Sequence, residues 1–308
     1  MKLINPEIRF EVTNRCNYNC SMCPRELQTR EQNNMSQELF EKIFDEGLNI
    51  GMKMATLVSY GEPFLDKGFK EKVKYAKNKS PEVELYVITN GSLIDKEMAS
   101  FLIDSEFDKI RFSWYGVSDE SYSSVHGVDK KYKDIVIKNI KYLINERNKR
   151  KLSKPHVEVY FLKMKENENE VDEFKEMWIN FADDVSIWEP HNWSDGRDYR
   201  ELKGKKESCG RPFHGPVQVQ WNGKIVPCCW DYNNSIVLGD VTKNTVEEVL
   251  KGKEFNALRD AHEKKEFYKF SFCDSCDQLY KCEEALVFTT IKTSEVGKTN
   301  TNNFELED

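Results

Sequence analysis

Residues 7–13, Glu-Ile-Arg-Phe-Glu-Val-Thr, alternate polar and apolar side chains, the period-two pattern of a half-buried strand. A cysteine-rich loop follows, and a helix is predicted from 37 onward, with Ser36 as its N-cap. The pattern then repeats. Short apolar runs at 55–58, 83–88, 109–113, 156–161 and 184–188 read as further strands. Helical periodicity lies between or after them at 67–78, 94–103, 131–147 and 170–180. Turn residues end several strands, as Thr89-Asn90-Gly91 and Gly116 do. Six strand–helix units imply a parallel α/β sheet with right-handed crossovers. Six units fall short of the eight of a closed barrel, so the expected fold is an open, partial (β/α)6 TIM-like barrel. A doubly wound sheet is the alternative.

After residue 190 the pattern changes. Residues 190–210 carry Pro, Gly, Asn and Asp, so 191–210 read as a linker and 1–190 as the barrel. Two alternating runs, 217–221 and 224–226, flank Asn222-Gly223, a strong β-hairpin signal. Short helices are expected at 245–251 and 255–263. Residues 211–288 thus form a small C-terminal domain of a hairpin and short helices, and 289–308 a polar, disordered tail.

Composition narrows the classes. Hydrophobic residues make up 39% of 308, enough for a large core. The net charge of −7 argues against nucleic acid as a partner. No apolar run reaches the ~18–20 residues of a membrane span, so no membrane is expected. Residues 1–10 lack a signal-peptide core, and a cytoplasmic protein is expected. The one basic run, Arg147 to Lys151 plus Lys154, reads as a solvated helix end.

Nine cysteines change the picture more. The count is odd and the cysteines cluster, which in a reducing compartment points to metal ligands or catalytic thiols. Cys16, Cys20 and Cys23 form C-x3-C-x2-C directly after the first strand. Three close thiolates can hold an iron–sulfur cluster and leave one iron open. A structural zinc completed by a distant cysteine is the alternative.

On this motif, placed at the end of the first strand of a partial barrel, the chain resembles the radical S-adenosylmethionine (radical SAM) superfamily. The resemblance implies that Cys16, Cys20 and Cys23 bind a 4Fe–4S cluster. The amino and carboxylate groups of SAM would chelate its fourth iron. Reduction by an external donor such as flavodoxin or ferredoxin would cleave SAM to methionine and a 5′-deoxyadenosyl radical that abstracts a substrate hydrogen. It also implies SAM-binding roles for Gly61, Glu62 and Pro63 after the second strand, Asn90 after the third and Ser113 closing the fourth. Tyr60 stands where many members carry a further glycine, and Met22 where an aromatic often packs near adenine.

Cys209, Cys228, Cys273 and Cys276, with Gly223-x4-Cys228 and C-x2-C at 273–276, resemble the auxiliary-cluster domains called SPASM and twitch. The resemblance implies one auxiliary 4Fe–4S cluster, since six remaining cysteines are too few for two. A structural zinc is again the alternative. Cys229 and Cys282 are spare. Cys229 is expected to pack on the other face of its strand. Cys282 is a core residue, a ligand, or a thiol that hands a hydrogen atom to the substrate radical.

Among members with a twitch domain, the chain looks most like the aminocyclitol dehydrogenases of the butirosin type. That implies oxidation, or epimerisation, of a sugar, aminocyclitol or nucleotide-linked glycoside. Peptide or protein modification is the second reading. Only 15 residues precede Cys16, so no leader-peptide-binding domain is expected there. A non-catalytic iron–sulfur or zinc-binding interaction protein is the reading of another class. Trp188, Glu189, His191, Asn192 and Trp193 are candidate substrate residues, and Arg197 or Arg211 could meet a carboxylate or phosphate.

Overall fold

The computed structural model describes residues 1–194, 197–280 and 285–291. Strands β1 (Glu7–Phe10), β2 (Met54–Leu57), β3 (Glu84–Thr89), β4 (Lys109–Ser113), β5 (His156–Leu162) and β6 (Asp184–Trp188) lie side by side, parallel, in chain order. Helices α1 (Gln37–Asn49), α2 (Phe69–Lys79), α3 (Lys96–Asp104), α4 (Asp119–His126), α5 (Lys131–Lys149) and α6 (Val171–Trp178) supply the crossovers. A doubly wound sheet would reverse its strand order. This order never reverses, as an open partial barrel requires, and the sheet does not close.

Alternation along the strands gives the sheet two different faces. Phe10, Leu57, Val87, Phe112, Val159 and Ile187 point to the helices and are fully buried. Each such side chain contributes about 1.5–3 kcal/mol. Arg9, Thr56, Tyr86, Arg111, Glu158 and Ser186 occupy the intervening positions and make the opposite face polar. Caps set where helices begin: Ser36 accepts from Leu39 N–H, and Asp95 from Met98 N–H.

The C-terminal part extends the same sheet. After α7 (Arg211–His214), β7 (Val217–Val219) pairs parallel with the free edge of β1. The hairpin expected at Asn222-Gly223 joins β7 to β8 (Lys224–Val226), and β9 (Gly239–Asp240) follows it. Gly223, at φ 82°, takes the left-handed turn position that disfavours other residues. Helices α8 (Val246–Lys251), α9 (Lys253–Glu263) and α10 (Ser271–Asp274) complete it.

Three expectations need correction. Residues 289–291, expected in a disordered tail, are instead part of the fold or adjoin it. Strand β10 (Leu286–Thr289) pairs antiparallel with β6, and Thr290 N–H donates to Val185 O at 3.0 Å. The aromatic and β-branched residues of 286–290 suit that half-exposed edge. Residues 292–308 lie outside the described residues. Arg147 is not a solvated helix end: it is buried, forms an ion pair with Asp183 and donates to Pro155 O at 2.8 Å. Helix α4 was not expected, because three serines weaken its intrinsic propensity.

Candidate functional site

The cysteine loop between β1 and α1 is held from several sides. Asn14 closes its base, donating to Glu31 O and accepting from Asn33 N–H, both at 2.8 Å. The C-terminus of α4 braces its middle. Ser21 N–H donates to Val125 O at 2.8 Å, and Asn19 N–H to His126 O at 3.3 Å. Gly127 permits this approach, because a Cβ there would lie 2.0 Å from Asn19 O. Arg197 donates to Ser21 O at 3.1 Å and to Cys23 O at 3.4 Å, and pairs with Glu26. That engages the guanidinium expected to be available for a substrate anion.

The three thiols share one electrostatic environment. Burial pushes Cys20 well up and Cys23 up to about 11, and each is raised further by its neighbouring cysteines. Burial also raises Cys16, against a hydrogen bond from Tyr18 N–H at 3.5 Å. Three thiolates become stable together only beside strong positive charge, such as a metal centre provides.

The residues predicted to contact SAM gather at the C-terminal ends of the strands, around this loop. A Cβ on Gly61 would lie 2.3 Å from Thr13 O, so glycine lets the turn after β2 pack on the loop's entry. Glu62 N–H donates to Arg15 O at 2.7 Å, and Pro63 opens a short buried 3-10 turn. The Glu62 carboxylate accepts from Thr89 Oγ1 at 2.7 Å and Asn90 N–H at 2.8 Å. Burial outweighs these bonds and holds its acid up at about 7. Oε2 accepts one of them and keeps capacity for another donor, such as an ammonium. Asn90 Nδ2 donates to Asn17 Oδ1 at 3.0 Å, tying the end of β3 to the cysteine loop. Ser113 closes β4 opposite Tyr160. Met22 packs with Val125, Leu162 and Met164, and Tyr115, Tyr160 and Trp188 border the group. Sequence reasoning missed His126 and Asn17. The only signal for His126 was its i, i+4 spacing from Tyr122 ahead of a glycine stop.

The second thiol group is equally coherent. Cys209, Cys228, Cys273 and Cys276 line one pocket, with Pro212, Pro227, Phe272 and Leu279 as apolar walls and His262 at its side. Burial raises all four thiols, Cys276 to about 11. The donor set is four thiols and one imidazole without a carboxylate, which suits an iron–sulfur centre. Among the described residues no three ligand-type side chains close around a single-ion position. The fit therefore rests on the shared pocket and on the thiol chemistry. Cys229 turns toward Arg211, 3.9 Å from its guanidinium, and its carbonyl accepts from Tyr60 Oη. Cys282 lies outside the described residues.

The expected substrate residues after β6 divide. Trp188 stacks on Tyr160 with ring centroids 6.5 Å apart. Trp230 Nε1–H donates to His191 Nε2 at 2.6 Å, and Trp193 packs on the His191 ring. Glu189 N–H donates to Ala285 O at 2.8 Å, and Asn192 holds Tyr199 and Arg200 N–H. Both serve the loop. Arg211 stacks on Trp230 at 3.9 Å. The polar sheet face carries further groups. Arg9 pairs with Glu7 at 2.7 Å and Arg111 with Glu158 at 2.9 Å, while Tyr86, Gln218 and Gln220 are buried with side-chain polar atoms that have no hydrogen-bond partner among the described residues.

A family model described as the radical SAM superfamily matches residues 10–177, and one described as an iron-sulfur cluster-binding domain, SPASM, matches 209–277. The tungsten-containing aldehyde ferredoxin oxidoreductase cofactor-modifying protein of Pyrococcus furiosus is 27% identical over 179 residues, 58% of this chain and 49% of that one. The chain spans between 39% and 49% of the length of the first curated relatives it matches. Among solved structures, BtrN in complex with AdoMet and 2-DOIA aligns with a TM-score of 0.62 at 17% identity, covering 93% of this chain and 100% of that one. SuiB of Streptococcus suis bound to precursor peptide SuiA gives 0.65 at 14%, covering 89% and 70%. At these identities the likeness to solved structures is one of fold. No helix among the described residues is long and apolar enough to cross a membrane.

Proposed function

The chain belongs to the radical SAM superfamily, and from that premise we propose that it oxidises or epimerises a hydroxyl-bearing carbon of a sugar, aminocyclitol or nucleotide-linked glycoside. It is a radical SAM enzyme with a SPASM iron–sulfur domain, and these domains use SAM and 4Fe–4S clusters. When bound, SAM and its cluster supply the 5′-deoxyadenosyl radical that takes a hydrogen atom from substrate. In our reading Cys16, Cys20 and Cys23 hold the SAM cluster. Cys209, Cys228, Cys273 and Cys276 hold the auxiliary one. Asn90 and Glu62 fix the cysteine loop against the strand ends, and Met22 with its aromatic neighbours keeps water from one side of it.

The polar sheet face carries the substrate reading. Gln218 and Gln220 leave both amide atoms without a partner among the described residues, and Tyr86 leaves its hydroxyl so. Gln218 is in register with Arg9, Arg9 with Thr56 and Thr56 with Tyr86, so these side chains share one face. An unsatisfied buried polar group costs about 1–3 kcal/mol. Groups that both donate and accept, beside arginines already neutralised by Glu7 and Glu158, suit a neutral substrate rich in hydroxyls.

The test is anaerobic reconstitution followed by incubation with SAM, a reductant and separate panels of cyclitols, nucleotide sugars and peptides. Iron should be about eight per chain and fall to about four in the Cys16→Ala/Cys20→Ala/Cys23→Ala variant. A cyclitol or sugar that loses two mass units means dehydrogenation. Unchanged mass with one solvent deuterium gained at carbon means epimerisation. Turnover confined to the peptides would replace this reading with a maturase. Intact SAM under every condition would leave a non-catalytic binding protein.

A further inference from the structure

His126 ends α4 with its ring fully buried beside the cysteine loop. Two contacts define what each ring nitrogen does. Tyr115 N–H donates to Nε2 at 3.0 Å. A backbone N–H can only donate, so Nε2 is the unprotonated nitrogen and the ring proton sits on Nδ1. Nδ1 lies 3.5 Å from Cys20 Sγ, within N–H···S reach. Turning the ring over would set a carbon against the Tyr115 N–H, so this contact also fixes which nitrogen faces the sulfur. The rings around it leave little room for another orientation. Tyr115 stacks on it at 4.9 Å with planes 5° apart, and Tyr18 meets it edge-on at 5.4 Å.

We infer that His126 is a positioning residue for the SAM cluster: held as the Nδ1–H tautomer, it donates a hydrogen bond to the Cys20 sulfur and, through that sulfur, raises the cluster's reduction potential. The physical reason is electrostatic. A reduced cluster places more negative charge on its thiolates, and a donor fixed toward one sulfur stabilises that state more than the oxidised one. The neighbouring ligand Cys16 receives a backbone N–H from Tyr18, whereas Cys20 receives a side chain brought from the α4 terminus. The site therefore couples the tuning of one ligand to an element whose carbonyls also hold the loop. The inference rests on Cys20 being a cluster ligand and is independent of the substrate.

The experiment compares wild type, His126→Phe and His126→Gln as anaerobically reconstituted full chains. Iron per chain is measured first. An EPR-monitored redox titration then follows the signal that changes on adding SAM. His126→Phe keeps an aromatic ring but no donor, and its midpoint should shift to more negative potential with iron retained. His126→Gln can accept from Tyr115 and donate to sulfur, and should recover part of the shift. An unchanged midpoint in an iron-replete His126→Phe overturns the inference. Should His126→Phe fail to retain iron, wild type carrying ring-15N histidine decides. A 15N coupling in the SAM-responsive signal upholds the contact, and its absence refutes it. Iron that stays at about eight per chain in the triple cysteine variant would instead remove the premise that Cys20 is a ligand.

Discussion

Glu62 shows how much one buried carboxyl can be asked to hold. It joins the turn after β2 to the end of β3, and burial lifts its pKa from 4.5 to about 7 despite the donors from Thr89 and Asn90. A raised carboxyl pKa means that the folded state binds the proton more tightly than the unfolded one. Its contribution is full below the unfolded value and is lost as pH rises through about 7. Glu62→Gln carries no titrating proton there. The stability of Glu62→Gln relative to wild type should rise by about 3 kcal/mol between pH 4 and pH 8. Unfolding midpoints at the two pH values check this, and a constant difference would refute it. At this scale what was legible was placement: Cys16, Cys20 and Cys23 share one loop, and the Gly61-Glu62 turn packs against it as expected. It was not legible for Asn17, His126 or Gly127. Their roles exist only once α4 and the end of β3 are brought against the loop.

Among elements, β7 carries the most chemistry for its length. Its valines, Val217 and Val219, face the core, and Gln218 faces the polar side with Gln220 just beyond it. If substrate is their partner, replacing both by leucine should leave unfolding unchanged or raise its temperature, since unsatisfied amides are removed. The same change should weaken substrate binding at least tenfold, about 1.4 kcal/mol. A large fall in melting temperature would show instead that the glutamines are structural. Strands were legible because alternation survives in short segments and Asn222-Gly223 marks its hairpin. Helix α4 was not, since Ser118 and Glu170 stabilise its start from outside the helix. Glu170 accepts from Val117 N–H at 2.6 Å and from Ser118 N–H at 3.2 Å. No local pattern announces a brace 52 residues away.

At the scale of the molecule, one sheet of ten strands among the described residues runs β10-β6-β5-β4-β3-β2-β1-β7-β8-β9. Strand β10 covers the outer edge of β6, and an uncovered edge is a template for pairing with another chain. A chain ending at residue 284 should therefore self-associate with rising concentration, while the full chain should not. Size-exclusion elution over a concentration series reads this, and unchanged elution would show that the edge is otherwise protected. The barrel was legible as repeated strand–helix units. The continuity of β7 with β1 was not, because pairing across about two hundred residues leaves no local mark.

That pairing has a consequence for how the protein is made. Strands β1 to β6 each meet a neighbour one unit away, so they can assemble as the chain leaves the ribosome. The second edge of β1 must wait for Val217. At about 5–20 residues per second, the strand that leads into the first cysteine motif stays open on one side for roughly 10–40 s of synthesis. During that interval Glu11 lacks the Val219 carbonyl that later accepts its N–H, and Trp221, which donates to its carboxylate, has not been made. The nascent barrel thus passes through an unfinished stage in which its cysteine loop follows a strand paired on one side only. If that loop receives iron, as proposed, iron supplied before synthesis passes residue 221 would meet a less ordered receptor than iron supplied after.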